Sequence, residues 1–322
     1  MLQRFLATAI ALAAGSAQAQ SPTATHWPTK TVRIVVPFAA GSFTDIAARA
    51  LGKELAQQTG QSFVIDNRTG AGGTIANDLV AKATDNHTLL FTDGSFSVSS
   101  ALYKKLPYVP ARDLLALAQV GESPAVLVAR TGLPAKDLKA VVALARQDPS
   151  ALSFGSGGQG SSGHLAVAEW LQQAGVEMVH VPYKGVAAAM ADVMGQRIDI
   201  SIGSVGSTQA LIKDGRVQAL AHSGTQRHPL MPQVPTFSEA GFPNYKVTYW
   251  FGLMVPASMP AEMRNAVRSQ VQQASNARGL GEIFERSGVS LTFLDTASFT
   301  ERIAGEVVAW QRLIDKMGIK PE

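Results

Sequence analysis

Apolar positions along the chain recur with two periods. Thr31–Pro37 (TVRIVVP) is a β-branched run that predicts a buried strand. Phe63–Asp66, Thr88–Thr92, Leu152–Phe154, Met178–Val181, Ile198–Ile202 and Val217–His222 predict further short strands. Leu115–Val120 and Ala125–Val128 read as two separate strands, broken at Gly121–Pro124. Helical spacing fills the gaps. Asp45 opens a helix to about Gln58 with Gly60 as its stop, a second starts near Ile75, and others cover Asp137–Arg146, the stretch to Ala174, the stretch to Met194, and a short one after Ser207. Asp93-Gly94-Ser95 reads as a polar turn. Gln226–Tyr245, with Pro229, Pro232, Pro235 and Pro243, predicts an extended surface connection. Val247–Val255 returns as a strand, followed by helices over Glu262–Asn276 and Gly281–Ser287. A last helix carries Phe299, Ile303, Val307, Trp310, Ile314 and Met317 on one stripe. Strands alternating with helices argue for parallel α/β sheets covered on both faces, with ligands at the carboxyl ends of the strands.

The N-terminus departs from this pattern. Arg4, the apolar run Phe5–Ala14 and the small-x-small site Ala17-Gln18-Ala19 come in the order of a secretory signal over residues 1–19. The apolar run is too short for the ~20 residues that span a bilayer. The expected product is a soluble, exported, periplasmic protein.

Composition narrows the classes. At ~150 residues per domain, 322 residues suggest about two domains. Charged residues are 16% and the formal net charge is +4, which excludes disorder and a nucleic-acid footprint. With no Cys in the chain, disulfides, thiolate metal sites and a cysteine nucleophile are excluded.

The loops after the predicted strands carry the chemistry. Ala39–Asp45 (AAGSFTD), Gly155–His164 (GSGGQGSSGH) and Gly203–Thr208 (GSVGST) are rich in Gly, Ser and Thr. Such loops read either as anion sites built from free N–H groups at helix starts or as ordinary turns and N-caps. Gly158–Gly163 matches G-x-G-x-x-G, but it does not follow the first strand, and Asp192 and Asp199 lie ~30 or more residues on, beyond the ~20 expected of a ribose-binding acid. His164 and Glu169 are five apart and share no helix face; G-x-S-x-G and H-E-x-x-H are absent. His180 reads as packed in a strand, and His222 and His228 lack metal-ligand spacing. No metal or cofactor is expected. Tyr183, in PYKG, can cover a ligand with its ring; Lys184 reads as an anion-steering or a surface lysine.

PFAAGSFTDIAAR (Pro37–Arg49), NRTGAGGTIA (Asn67–Ala76), GSGGQGSSGHLAVAEW (Gly155–Trp170), VPYKG (Val181–Gly185), GQRIDI (Gly195–Ile200) and VPTFSEAGFP (Val234–Pro243) resemble the Bug-type extracytoplasmic receptors of tripartite tricarboxylate transporters. The match runs in order from about Trp27 to the C-terminus. It implies a type II periplasmic-binding-protein fold, two doubly wound α/β domains joined by two crossing strands. The crossings would fall near Gly121–Pro124 and Tyr245–Trp250. Domain 1 would be 27–123 plus 247–322, and domain 2 would be 124–246. The resemblance further implies a non-enzymatic, monomeric receptor that closes on a small carboxylate and delivers it to transporter subunits or a sensor. The family's binding positions fall on Phe38, Ala40, Gly41, Ser42, Thr44, Asp45 and Ser95, and on Ser156, Ser161, Ser162, Tyr183 and Ser204; Asp45 reads equally as a helix cap. Two departures stand out. Ser42 replaces a second glycine, and Gly203 replaces an acid that could pair with a ligand ammonium, so the expected carboxylate lacks an amino group. The competing reading is an exported hydrolase using a serine and His164 in the same cleft, for which no spacing supplies an oriented base.

Overall fold

The computed structural model describes residues 27–183 and 185–320; the expected signal segment and Lys184 lie outside them. Strands β1 (Val32–Val36), β2 (Phe63–Asn67) and β3 (Thr88–Asp93) alternate with helices α1 (Phe43–Thr59) and α2 (Thr74–Ala81), the latter after a 3-10 turn at Ala71–Gly73. Helix α3 (Ser95–Leu102) and the long strand β4 (Leu114–Arg130) follow. Then come α4 (Leu138–Gln147), β5 (Ser153–Ser156), α5 (Ser162–Ala174), β6 (Val179–Pro182), α6 (Val186–Met194), β7 (Ile200–Ser204), α7 (Val205–Lys213) and β8 (Val217–His222). The chain ends in β9 (Thr248–Pro256), α8 (Ala261–Ser275), α9 (Arg278–Arg286), β10 (Ser290–Leu294) and α10 (Thr296–Met317).

β4 belongs to two sheets. Its first half lies between β9 and β10, in a sheet that continues from β9 through β3 and β1 to β2. Its second half lies between β7 and β8, in a sheet that continues from β7 through β5 to β6. The expectation of purely parallel sheets is corrected. β1, β2 and β3 pair in parallel, as do β5, β6 and β7, whereas β4, β8, β9 and β10 run antiparallel to their partners.

Helices cover both faces of each sheet. Leu51 and Leu55 of α1 pack with Val267 and Val271 of α8 and Phe284 of α9 on one face of the first sheet. Val80, Phe96, Phe299 and Ile303 pack around Trp250 on the other. On the second sheet, Leu138, Val141, Leu165 and Trp170 of α4 and α5 oppose Met190, Val193 and Val205 of α6 and α7. The α5 cluster extends to Val98 and Leu102 of α3 and to Trp310 and Ile314 of α10. Burial of this kind contributes about 25 cal/mol per Å2 of apolar surface, so these faces hold the helices on the sheets.

Three expectations change. The break at Gly121–Pro124 does not exist, because β9 pairs with β4 through Gly121↔Phe251, Glu122↔Trp250, Ser123↔Tyr249 and Pro124↔Thr248. Gly121 is required there by packing: a Cβ would fall 2.6 Å from Phe284 Cε1. The stretch Gln226–Tyr245 is irregular but not superficial. Met231, Val234, Phe237 and Tyr245 are buried, and the Tyr245 hydroxyl donates to the Ala166 carbonyl at 3.0 Å. On the final stripe Phe299, Ile303, Trp310 and Ile314 are buried, while Met317 is exposed in the last turn before the left-handed Gly318.

Candidate functional site

The three Gly/Ser loops share one construction. Ser42, Ser161 and Ser204 are the N-caps of α1, α5 and α7, each with extended backbone and a hydroxyl that accepts the N–H three residues on: Asp45, His164 and Ser207. A serine cap satisfies the third N–H of a helix and leaves the first two for another acceptor. For α1 these are Phe43 and Thr44, and for α5 they are Ser162 and Gly163. In α7 the Val205 N–H is already taken by Ser123 Oγ at 3.3 Å. Gly206 N–H is therefore the second donor of that turn.

Asp45 is not the cap of α1. Its carboxylate is buried and turned back on the loop, accepting from Gly41 N–H at 2.9 Å, Asn67 Nδ2 at 2.9 Å and Arg49 Nε at 3.0 Å. Asn67 also donates to the Phe38 carbonyl at 2.9 Å. Burial acts to raise the Asp45 pKa, and the Arg49, Gly41 and Asn67 bonds outweigh it, leaving it below the usual range. The loop Phe38–Ser42 is thereby pinned from beneath, with Ala40 and Gly41 exposed. Gly41 has φ +83°. Thr44 is buried and donates its hydroxyl to Asp93 Oδ2 at 3.1 Å. Ser95 N–H donates to Asp93 Oδ1 at 2.9 Å, and Ser95 Oγ is buried beside the same carboxylate. The Ala71–Gly73 turn closes on both: a Cβ on Gly73 would fall 3.2 Å from Pro37 Cβ and 3.8 Å from Ser95 Oγ.

In the second sheet the loop after β5 is shaped by two imidazoles. His164 and His180 stack with centroids 3.8 Å apart, and Phe154 stacks on His180 at 4.7 Å. His164 Nδ1 accepts the Gly160 N–H at 2.9 Å. Burial pushes His164 down to about 3, with the neighbouring His180 adding to it, and pushes His180 down to about 4. Both rings are neutral near pH 7.

Ser156, His180 and Gln159 form a line that superficially suits a nucleophile, a base and an orienting group. Ser156 Oγ lies 2.7 Å from His180 Nε2, and His180 Nδ1 lies 3.0 Å from Gln159 Oε1. Ser156 is 1% exposed, and its hydroxyl also bonds the Gly158 carbonyl at 2.9 Å and accepts the Gly158 N–H at 3.2 Å. The oxygen is enclosed by its own loop, where no substrate carbonyl reaches it, so this group shapes the turn. Tyr183 is likewise tethered: its hydroxyl donates to Asp192 at 2.7 Å, and burial together with that carboxylate pushes it up to about 12.

Leu102 of α3 lies against Gly160, and the start of α7 lies against the turn before β10, where a Cβ on Gly206 would fall 2.5 Å from the Ser287 carbonyl oxygen. Two cavities lie elsewhere. One of about 310 Å3 is bounded by His228–Leu230 and by Gly281, Glu285 and Gly288–Leu291. One of about 450 Å3 lies between α1 and β2, beside Arg49 and Lys53. Asp93, Asn67, Leu102 and the imidazole pair carry no local signature in the sequence; each acquires its role from residues distant in the chain, apart from the bonds of His164 and Asp93 to their own turns.

Residues 47–319 match the model of the tripartite tricarboxylate transporter family receptor. The chain is 30% identical to protein BugT of Bordetella pertussis over 301 residues, 92% of each chain. It superposes on the solved structure of R. palustris Rpa4515 with adipate with a TM-score of 0.84 at 30% identity, covering 92% of this chain and 100% of that one. On MatC of Rhodopseudomonas palustris with bound malate the TM-score is 0.80 at 28% identity, covering 89% and 100%.

Proposed function

The chain belongs to the tripartite tricarboxylate transporter receptor family, a family of substrate-binding receptors and not of enzymes, and on that premise we propose that it binds a small carboxylate lacking an amino group. The observation that carries this reading is the set of serine-capped helix starts at α1, α5 and α7, each at the carboxyl end of a parallel strand. Uncharged N–H donors there, aided by the helix dipoles, suit an anion that is held and released unchanged. The contacts would come from Phe38, Ala40, Gly41, Ser42, Thr44 and Ser95 in a lobe formed by 27–123 and 247–322, with Asp45 holding their loop in place. Ser161, Ser162, Tyr183 and Ser204 would contribute from a lobe formed by 124–246, with Ser156 shaping the loop before α5, the two lobes closing about the crossing of β4 and β9.

Gly203 supports the exclusion of amino acids. A Cβ there would fall 2.5 Å from Ser207 Oγ and 3.1 Å from Met190 Cε, so the position offers no acid to an ammonium. Adipate and malate, bound by two of the similar structures, also lack one. Members of the family are periplasmic binding proteins, and we place this chain in the periplasm as a monomer that hands its ligand to membrane transporter subunits or a sensor.

Thermal shift and calorimetry across mono-, di- and tricarboxylates test the reading, since a ligand bound only by the folded state raises the melting temperature. A carboxylate without an amino group should bind and be recovered intact. Binding of none of them, or tighter binding of aspartate or glutamate, would overturn it.

A further inference from the structure

The turn between β3 and α3 holds a carboxylate that no cation among the described residues balances. Asp93 receives the Ser95 N–H and the Thr44 hydroxyl, both uncharged, and burial and these neutral bonds are what act on it. The neighbouring aspartates differ: Asp45 pairs with Arg49, and Asp66 with Arg33 and Arg68. Ser95 Oγ is buried beside the same Asp93 carboxylate and adds a further uncharged donor to it.

The groups facing Asp93 from each packed element leave it unbalanced. From α1 come Thr44 and the already paired Asp45. From β9 comes Tyr249, whose ionisation is opposed first by burial and then by Asp93 itself. The next residue, Trp250, gives its Nε1–H to Glu306 of α10, which Arg302 also bonds. The Ala71–Gly73 turn and the α3 sequence SFSVSSAL carry no titratable group, and β1 carries Arg33, which is spent on Asp66.

Resting on the carboxylate-receptor reading above, we infer that Asp93 is a specificity-determining residue that meets the bound carboxylate as a neutral acid and donates its proton to a ligand oxygen. Two carboxylates within hydrogen-bond reach cannot both stay ionised, so the pair shares one proton. When Asp93 starts ionised, that proton comes from solvent and binding takes up one proton; when it starts neutral, none is exchanged. Burial already holds its pKa above the usual carboxylate range in the free protein. An ammonium-bearing ligand would instead select the ionised form and bind better as pH rises.

Calorimetry with adipate and with malate, from about pH 6 to about pH 9 in buffers of different ionisation enthalpy, reads this directly. Affinity should fall by up to about tenfold per pH unit above the pKa of free Asp93, with one proton taken up. Asp93→Asn, which keeps one acceptor, for Thr44 or for the Ser95 N–H, and presents an amide donor, should bind with a flat profile. A rise with pH, or a flat wild-type profile at pH values where free Asp93 is ionised, would overturn the inference. So would a carbon-13 titration of the ligand-free protein in which the Asp93 carboxyl ionises at the ordinary ~3.9, and that readout stands even if Asp93→Asn fails to fold. Absence of carboxylate binding at every pH overturns the receptor reading and this role with it; pH-independent binding above the pKa of free Asp93 overturns this role alone.

Discussion

Leu102 occupies the space a side chain at Gly160 would need: a Cβ there would fall 2.0 Å from Leu102 Cδ2, on a backbone with φ +67°. The contact joins the end of α3, from the first sheet, to the loop that leads into α5, on the second. The same Gly160 donates its N–H to His164, so one residue couples the contact between sheets to the shape of a candidate binding loop.

Gly160→Ala should therefore weaken both. Left-handed backbone costs a residue with a Cβ roughly 1–2 kcal/mol, and the clash adds to that. We expect a lower melting temperature and at least tenfold weaker carboxylate binding. Adding Leu102→Ala should recover the clash component, read as a non-additive double-mutant cycle. Additive losses would show that the contact does not limit closure.

Asp45→Ala should loosen the first loop. It leaves the Gly41 N–H, the Asn67 amide and Arg49 without their shared acceptor, a loss of about 2 kcal/mol in urea unfolding. Because the folded pKa is lowered, the wild-type contribution is present above the unfolded value of ~3.9 and is lost as pH falls through the folded one. The stability difference between wild type and Asp45→Ala should accordingly shrink at strongly acid pH.

Stability should also decline as pH falls from about 6.5 toward 4, for a different reason. Burial lowers His164 to about 3 and His180 and His222 to about 4, so the unfolded chain binds protons first. Their contribution is complete above the unfolded pKa and is lost on the way down to the folded ones. Each histidine adds up to about 1.4 kcal/mol per pH unit to the slope. His164→Asn, which can still accept the Gly160 N–H, should remove one histidine's share in guanidinium titrations across this range.

Arg302 fastens α10 to both strands at the crossing. It bonds Gln119 at 2.9 Å and Glu122 at 2.8 Å on β4, Thr248 at 2.6 Å on β9, and Glu306 at 3.1 Å. Arg302→Lys keeps the charge but not the planar fork, so it should lose about 1–2 kcal/mol of stability in chemical denaturation. An unchanged midpoint would show the network to be dispensable.

Strand and helix positions were readable where a local pattern was strong, as in the β-branched β1 or the body of α1 up to its Gly60 stop, although the sequence pattern opens α1 at Asp45 and the structure starts it at Phe43. Helix α3 escaped because SFSVSSAL has little helix propensity and is held by packing on α10. β10 escaped because it is short and half-exposed, and pairs only with a strand more than 160 residues earlier. The serines at 42, 161 and 204 were legible as loop residues, while their common use as helix caps required the backbone.

By itself the sequence determined the alternation of strands and helices, the composition of the three loops and the family motifs, because these depend on periodicity and residue type over short stretches. The tertiary structure decided that β4 runs unbroken through two sheets, that Asp45 turns back on its own loop, and that Asp93 has no cation beside it among the described residues. Pairing, burial and charge balance depend on which distant residues meet. That is a property of the packed chain, and no local stretch of sequence contains it.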